Sequence, residues 1–130
     1  MSLCLYAAGR AVAFATAAFT LSWTHSVEKT RWEEDWRATP AGLEIIEARV
    51  EGSGAGMEAP DGAVLKNGVW SYRPALPPQA ALLLARSGAT GEGWTLCGET
   101  GCLAVGASAG EPAEIRACRP GDGAGAPAAQ

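Results

Sequence analysis

The stretch FTLSWTHSVEKTRWEEDW, Phe19 to Trp36, decides the fold. From Phe19 to Glu28 the residues Phe19, Leu21, Trp23, His25 and Val27 share one parity, while Thr20, Ser22, Thr24, Ser26 and Glu28 share the other. An apolar/polar alternation of period two is the signature of a half-buried strand, because successive side chains point to opposite faces. Residues 31 to 38 alternate as well, with Trp32, Glu34, Trp36 and Ala38 against Arg31, Glu33, Asp35 and Arg37. Thr30 and Glu33 also fit a helix capping box, and Trp32 and Trp36 are spaced for one helical face. The preceding strand favours a hairpin instead. A turn over Glu28 to Arg31 sets Val27 opposite Trp32, His25 opposite Glu34, Trp23 opposite Trp36 and Leu21 opposite Ala38. A slip of one residue would set tryptophans against charges.

Outward from this hairpin the punctuation is that of an all-β chain. Thr39-Pro40-Ala41-Gly42, Lys66-Asn67-Gly68 and Glu99-Thr100-Gly101 are turn signals between apolar or aromatic runs. The strands expected are 2 to 8, 11 to 16, 19 to 28, 31 to 38, 43 to 51, 69 to 73, 81 to 86, 93 to 97 and 102 to 106. About 8 to 9 short antiparallel strands predict a small sandwich or a partly closed barrel. Segment 52 to 66 reads as a Gly-rich loop, and PALPPQA, 74 to 80, as a proline-stiffened extended connection. Residues 1 to 109 then form one β-domain, and 110 to 130, rich in Ala, Gly and Pro, a flexible tail whose final RPGDGAGAPAAQ is disordered.

At 130 residues there is room for one modest core and not for a two-domain enzyme. Ten basic residues against 14 acidic ones give a net charge of −4, and the basic residues are scattered singly, so nucleic acid is not an expected partner. The alanine-rich N-terminus is interrupted by Gly9 and Arg10. It lacks both a leading basic region and the stretch of about 18 apolar residues that a membrane span needs. It reads as two short strands around a Gly9-Arg10 turn, with a signal peptide as the minority alternative. On those grounds a cytoplasmic location is expected, with a periplasmic one as the alternative.

Of the four cysteines, Cys97 and Cys102 flank a four-residue loop that would place them opposite each other across a hairpin. A disulfide there is geometrically allowed in an oxidising compartment. Cys4 and Cys118 are isolated near opposite ends, which weakens a four-cysteine zinc site. The simplest reading is small buried thiols.

A histidine on an apolar strand face needs a polar partner, so the candidate binding constellation is His25 with Glu28 and Glu34, walled by Trp23 and Trp36. The competing reading is that Glu34 only satisfies the His25 imidazole. Glu47 would join as a metal ligand if strand 43 to 51 alternated strictly. The consecutive apolar pair Ile45-Ile46 instead signals a bulge that turns Ala48 and Val50 inward and sends Glu47 and Arg49 outside. No metal site is assigned. His25 and Ser26 point to opposite faces and form no dyad, and no complete catalytic motif is present, so no catalytic residue is assigned. Gly52, Gly54 and Gly56 follow a strand, but Glu58-Ala59-Pro60 forbids the helix that a dinucleotide fingerprint must open. No cofactor is expected. Gly54 and Gly56 stay as candidates for a binding loop.

HSVEKTRWEEDW, GSGAGM from Gly52 to Met57 and GVWSYRPALPP from Gly68 to Pro78 carry a resemblance. Over roughly residues 3 to 106 the chain resembles the bacterial family catalogued as domain of unknown function 1850. The resemblance implies a small β-rich protein encoded beside the permeases of tripartite ATP-independent periplasmic (TRAP) transporters of the TAXI type. It brings no assigned catalytic residue. Many relatives carry an N-terminal hydrophobic anchor that these residues do not show. The expected function is therefore a non-enzymatic accessory or binding module associated with a TAXI-type TRAP system, whose membrane subunits are the expected partners. A small-ligand or metal-binding β-domain using the His25/Glu34 face is the alternative, with a small-molecule ligand as its partner, and a hydrolase comes third.

Overall fold

The computed structural model of the chain describes residues 2–7, 10–14, 16–24, 30–52, 62–86, 93–105 and 110–118, with the backbone alone at 10, 85 and 86. Among these residues there are eleven strands and no helix. In chain order they are β1 (Leu3–Ala7), β2 (Arg10–Phe14), β3 (Ala18–Thr24), β4 (Arg31–Thr39), β5 (Gly42–Glu51), β6 (Val64–Lys66), β7 (Val69–Tyr72), β8 (Leu82–Arg86), β9 (Trp94–Gly98), β10 (Gly101–Val105) and β11 (Gly110–Ala117). They form two antiparallel sheets, β2-β1-β11-β8 and β10-β9-β3-β4-β5-β7-β6. Each sheet keeps two free edges, so the architecture is a sandwich and not a closed barrel.

The turn chemistry explains the hairpins. Asn67 (φ 53°) and Gly68 (φ 80°) both take left-handed conformations, which suits the tight β6–β7 connection. At the β4–β5 turn the Thr39 hydroxyl accepts from the Ala41 N–H at 3.2 Å and donates to the Gly42 carbonyl at 2.9 Å. Gly42 (φ 126°) also packs on the backbone of Gln79, where a side chain would clash. The extended connection after β7 is thereby pinned: Leu43 and Gln79 exchange two backbone hydrogen bonds of 2.7 and 2.8 Å.

Alternation sets the core. Leu3 and Leu5 of β1, Ala113 and Ile115 of β11 and Leu84 of β8 pack against Phe19, Leu21, Trp36, Leu43, Ile45 and Leu96 of the larger sheet. Four expectations are corrected here. Residues 110–117 are not part of a flexible tail: β11 lies between β1 and β8, and Ala113 and Ile115 are fully buried. Segment 52 to 66 is not all loop, since it ends in β6. The cysteines are not free thiols: Cys4 bonds Cys118 and Cys97 bonds Cys102. The first bond follows from β1–β11 pairing, which sets Leu3 opposite Ala117 and brings the Cys118 N–H onto the Ser2 carbonyl at 2.9 Å.

The fourth correction is the register of the decisive hairpin. β3 and β4 pair, but with Trp23 opposite Trp32, Leu21 opposite Glu34 and Phe19 opposite Trp36. The shift of four residues keeps every side chain on its expected face. It gives Glu34 the cross-strand partner Leu21 where His25 was expected, and Trp23 the partner Trp32 where Trp36 was expected. The β4–β5 pairing begins as expected, with Ala38 opposite Leu43 and Trp36 opposite Ile45, and the bulge follows at Ile46, so that Asp35 meets Glu47.

Candidate functional site

Three of the sequence candidates, Trp23, Glu34 and Trp36, lie on the inward face of β3 and β4. The correct register puts them in different places. Trp36 is 4% exposed and belongs to the core. Its indole N–H donates to Glu34 Oε1 at 2.9 Å, so the carboxylate has an indole for a partner where an imidazole was expected. Burial pushes the Glu34 carboxyl above its ordinary value, and the Trp36 hydrogen bond only partly opposes this. Tyr72, opposite Ala48 on β5, has its phenol pushed up by burial and then by the negative charge of Glu34. The charge of a half-buried acid is thus felt by a phenol across the inner face.

Trp23 lies farther along, where the core thins. It stacks on Trp32 with centroids 6.1 Å apart and planes 13° from parallel, and packs on its other side against Trp94 of β9 at 4.6 Å. All three indoles keep part of their surface exposed. Trp32 and Trp94 were not among the expected site residues. The signal for Trp32 was its parity with Glu34 and Trp36 on the inward face of β4, and that for Trp94 was its position at the start of an expected strand. Trp70, opposite Val50 on the next strand pair, extends the aromatic row. Gly52 lets it approach: a Cβ there would stand 2.8 Å from the Trp70 ring.

The opposite face of the same sheet is polar and already paired. Arg49 donates Nη1 and Nη2 to Asp35 at 2.8 and 2.9 Å, Nη1 to Glu47 at 2.7 Å and Nε to Glu33 at 3.1 Å. Asp35 also accepts from the Thr20 hydroxyl at 2.8 Å. These bonds hold the Asp35 carboxyl below its ordinary value, with the Arg49 hydrogen bond as the largest cause, and push the guanidinium up. Beside the network a groove of about 420 Å³ runs past Thr20, Asp35, Arg37, Ile46 and Glu99 to Cys97. The outward placement of Glu47 and Arg49 follows the bulge, and it parts Glu47 from Glu34. Among the described residues no cluster of His, Cys, Asp and Glu is placed to hold a metal ion. His25, Glu28, Gly54 and Gly56 lie outside the described residues.

A family model with the description Domain of unknown function (DUF1850) matches residues 19–104. The match takes in all of the seven-stranded sheet but its first and last residues, Ala18 and Val105, and so both its aromatic row and its polar face. No curated protein and no solved structure matches the chain. With more than half of its length covered, the chain belongs to this family.

Proposed function

We propose that this member of the family is a non-enzymatic accessory module that binds a protein partner through the exposed side of the Trp23–Trp32–Trp94 cluster, in association with a TAXI-type TRAP transport system. The observation that carries the binding role is the cluster itself: three indoles packed on one another at the rim of the core, each keeping part of its surface in water. Rigid aromatic side chains presented this way lose little entropy on contact and are enriched among residues that dominate protein interfaces. The transporter association rests on the family resemblance. Two disulfides favour the periplasmic alternative over the cytoplasmic one, because such bonds persist in oxidising compartments.

The test is purification of the tagged full chain from native membranes, with the Trp23→Ala variant in parallel and folding checked by circular dichroism. TRAP permease subunits retained by the wild type and lost by the folded variant support the reading. Retention by both, or by neither, contradicts it.

A second reading is a small-ligand domain, and the groove beside Arg49 favours it. Its volume of about 420 Å³ falls in the range of small-molecule sites, and Thr20, Arg37 and Glu99 offer polar contacts at its walls. A stoichiometric small molecule released from the purified chain on denaturation, without transporter subunits, would favour this reading over the first.

A further inference from the structure

The two disulfides differ in exposure. Cys4, in β1, is 2% exposed and its partner Cys118, just after β11, is half-buried. Cys102 is exposed on β10, an edge strand, and Cys97 forms part of the wall of the groove. The hairpin that carries the second bond does not depend on it for its shape. Five residue pairs from Gly101–Gly98 to Val105–Trp94 form the β9–β10 ladder, and Gly101 (φ 145°) sets the turn in a conformation that other residues rarely adopt. Leu96 and Val105 anchor the hairpin in the core.

We propose that Cys97–Cys102 is a thiol-exchange site, opened and closed on the folded domain by a dithiol partner, while Cys4–Cys118 stays shut. A thiolate of the partner attacks Cys102 Sγ, the exposed sulfur. The bond to Cys97 Sγ breaks, and the Cys97 thiolate leaves and takes a proton from water. The partner's second thiolate then attacks its own sulfur in the mixed disulfide and releases the Cys102 thiolate, which is protonated in turn. The partner leaves as a disulfide and this chain gains the two electrons. Access decides which bond reacts, since an attacking thiolate must reach sulfur in line with the bond it breaks. The consequence is local: Cys97 belongs to the groove wall, so reduction frees one side of the groove while the ladder holds the strand. This role is independent of the binding role proposed above.

The test uses the oxidised full chain, dithiothreitol as the dithiol, and pulses of N-ethylmaleimide read by peptide mass spectrometry, with far-ultraviolet circular dichroism on the same samples. Cys97 and Cys102 are expected to be labelled together, at least about tenfold faster than Cys4 and Cys118, with the β spectrum unchanged during that phase. Labelling of Cys4 and Cys118 at an equal or greater rate overturns the proposal. So does labelling of Cys97 and Cys102 that keeps pace with loss of the spectrum.

Discussion

Trp36 and Glu34 stand two residues apart on the inward face of β4, and the indole N–H of one holds the carboxylate of the other at 2.9 Å. The bond satisfies one oxygen of an acid that burial would rather keep protonated. A carboxyl whose folded pKa is raised stabilises the fold below its unfolded pKa, near 4.5. That contribution is lost as pH rises through the folded value. Glu34→Gln, which keeps the acceptor and removes the charge, should therefore be more stable than wild type at neutral pH. The difference should vanish in acid. Urea unfolding at two pH values checks this, and ultraviolet titration of the phenols should show Tyr72 ionising at lower pH in the variant.

The Arg49 cluster should behave in the opposite sense. Asp35 has a lowered pKa, so its contribution is present above its ordinary value of 3.8 and fades as pH falls through the lower folded value. Arg49→Met removes the shared cation and leaves Glu33, Asp35 and Glu47 facing one another. Because these groups are partly solvated, a loss of about 1 to 2 kcal/mol is expected at neutral pH, shrinking with added salt and in acid. Denaturant midpoints measured across salt concentration test it.

The disulfides should differ in what they contribute to stability. Chain-entropy arguments give about 5 kcal/mol for the bond between Cys4 and Cys118, 114 residues apart, and roughly 2 kcal/mol for Cys97–Cys102, 5 residues apart. Replacing Cys4 and Cys118 by Ala should lower the melting temperature far more than replacing Cys97 and Cys102. Calorimetry of the two double variants decides, and equal losses would contradict the assignment of β1 and β11 as a tied pair.

Ile115 is fully buried in β11, at the contact between the sheets. Ile115→Ala should cost roughly 2 to 4 kcal/mol, the usual range for such a cavity in a core. A change within about 0.5 kcal/mol, the level of surface substitutions, would mean that residues 110–117 are not docked as described.

Much of this fold was legible because alternation is a local signal. The faces of Phe19, Leu21, Trp23, Trp32 and Trp36 could be read, as could the Ile45-Ile46 bulge, the Lys66-Asn67-Gly68 turn and the facing of Cys97 and Cys102. The register of β3 on β4 was not, because a shift of four residues preserves parity and in both registers Trp23 meets a tryptophan. What favours the observed one lies elsewhere in the chain: Trp94 packs on the free side of Trp23, and Phe19 falls opposite Trp36. The polar pair of Thr20 with Asp35 was available as a signal on the outer face. β11 was missed because Ala113 and Ala117 carry little hydrophobic weight beside Ile115, so their shared parity was lost in the composition of the tail. Its partner β1 was legible, but nothing local joined Cys4 to a cysteine 114 residues away.

The most direct test of the proposed binding face is the indole region of the ¹H–¹⁵N NMR spectrum, where the chain's five tryptophans give one cross-peak each. It would be recorded before and after addition of purified TRAP permease subunits in detergent. The account predicts that the Trp23, Trp32 and Trp94 signals shift or broaden at stoichiometric permease, while that of Trp36, buried and bonded to Glu34, keeps its position. An unchanged spectrum, or changes that spare those three indoles, would contradict it.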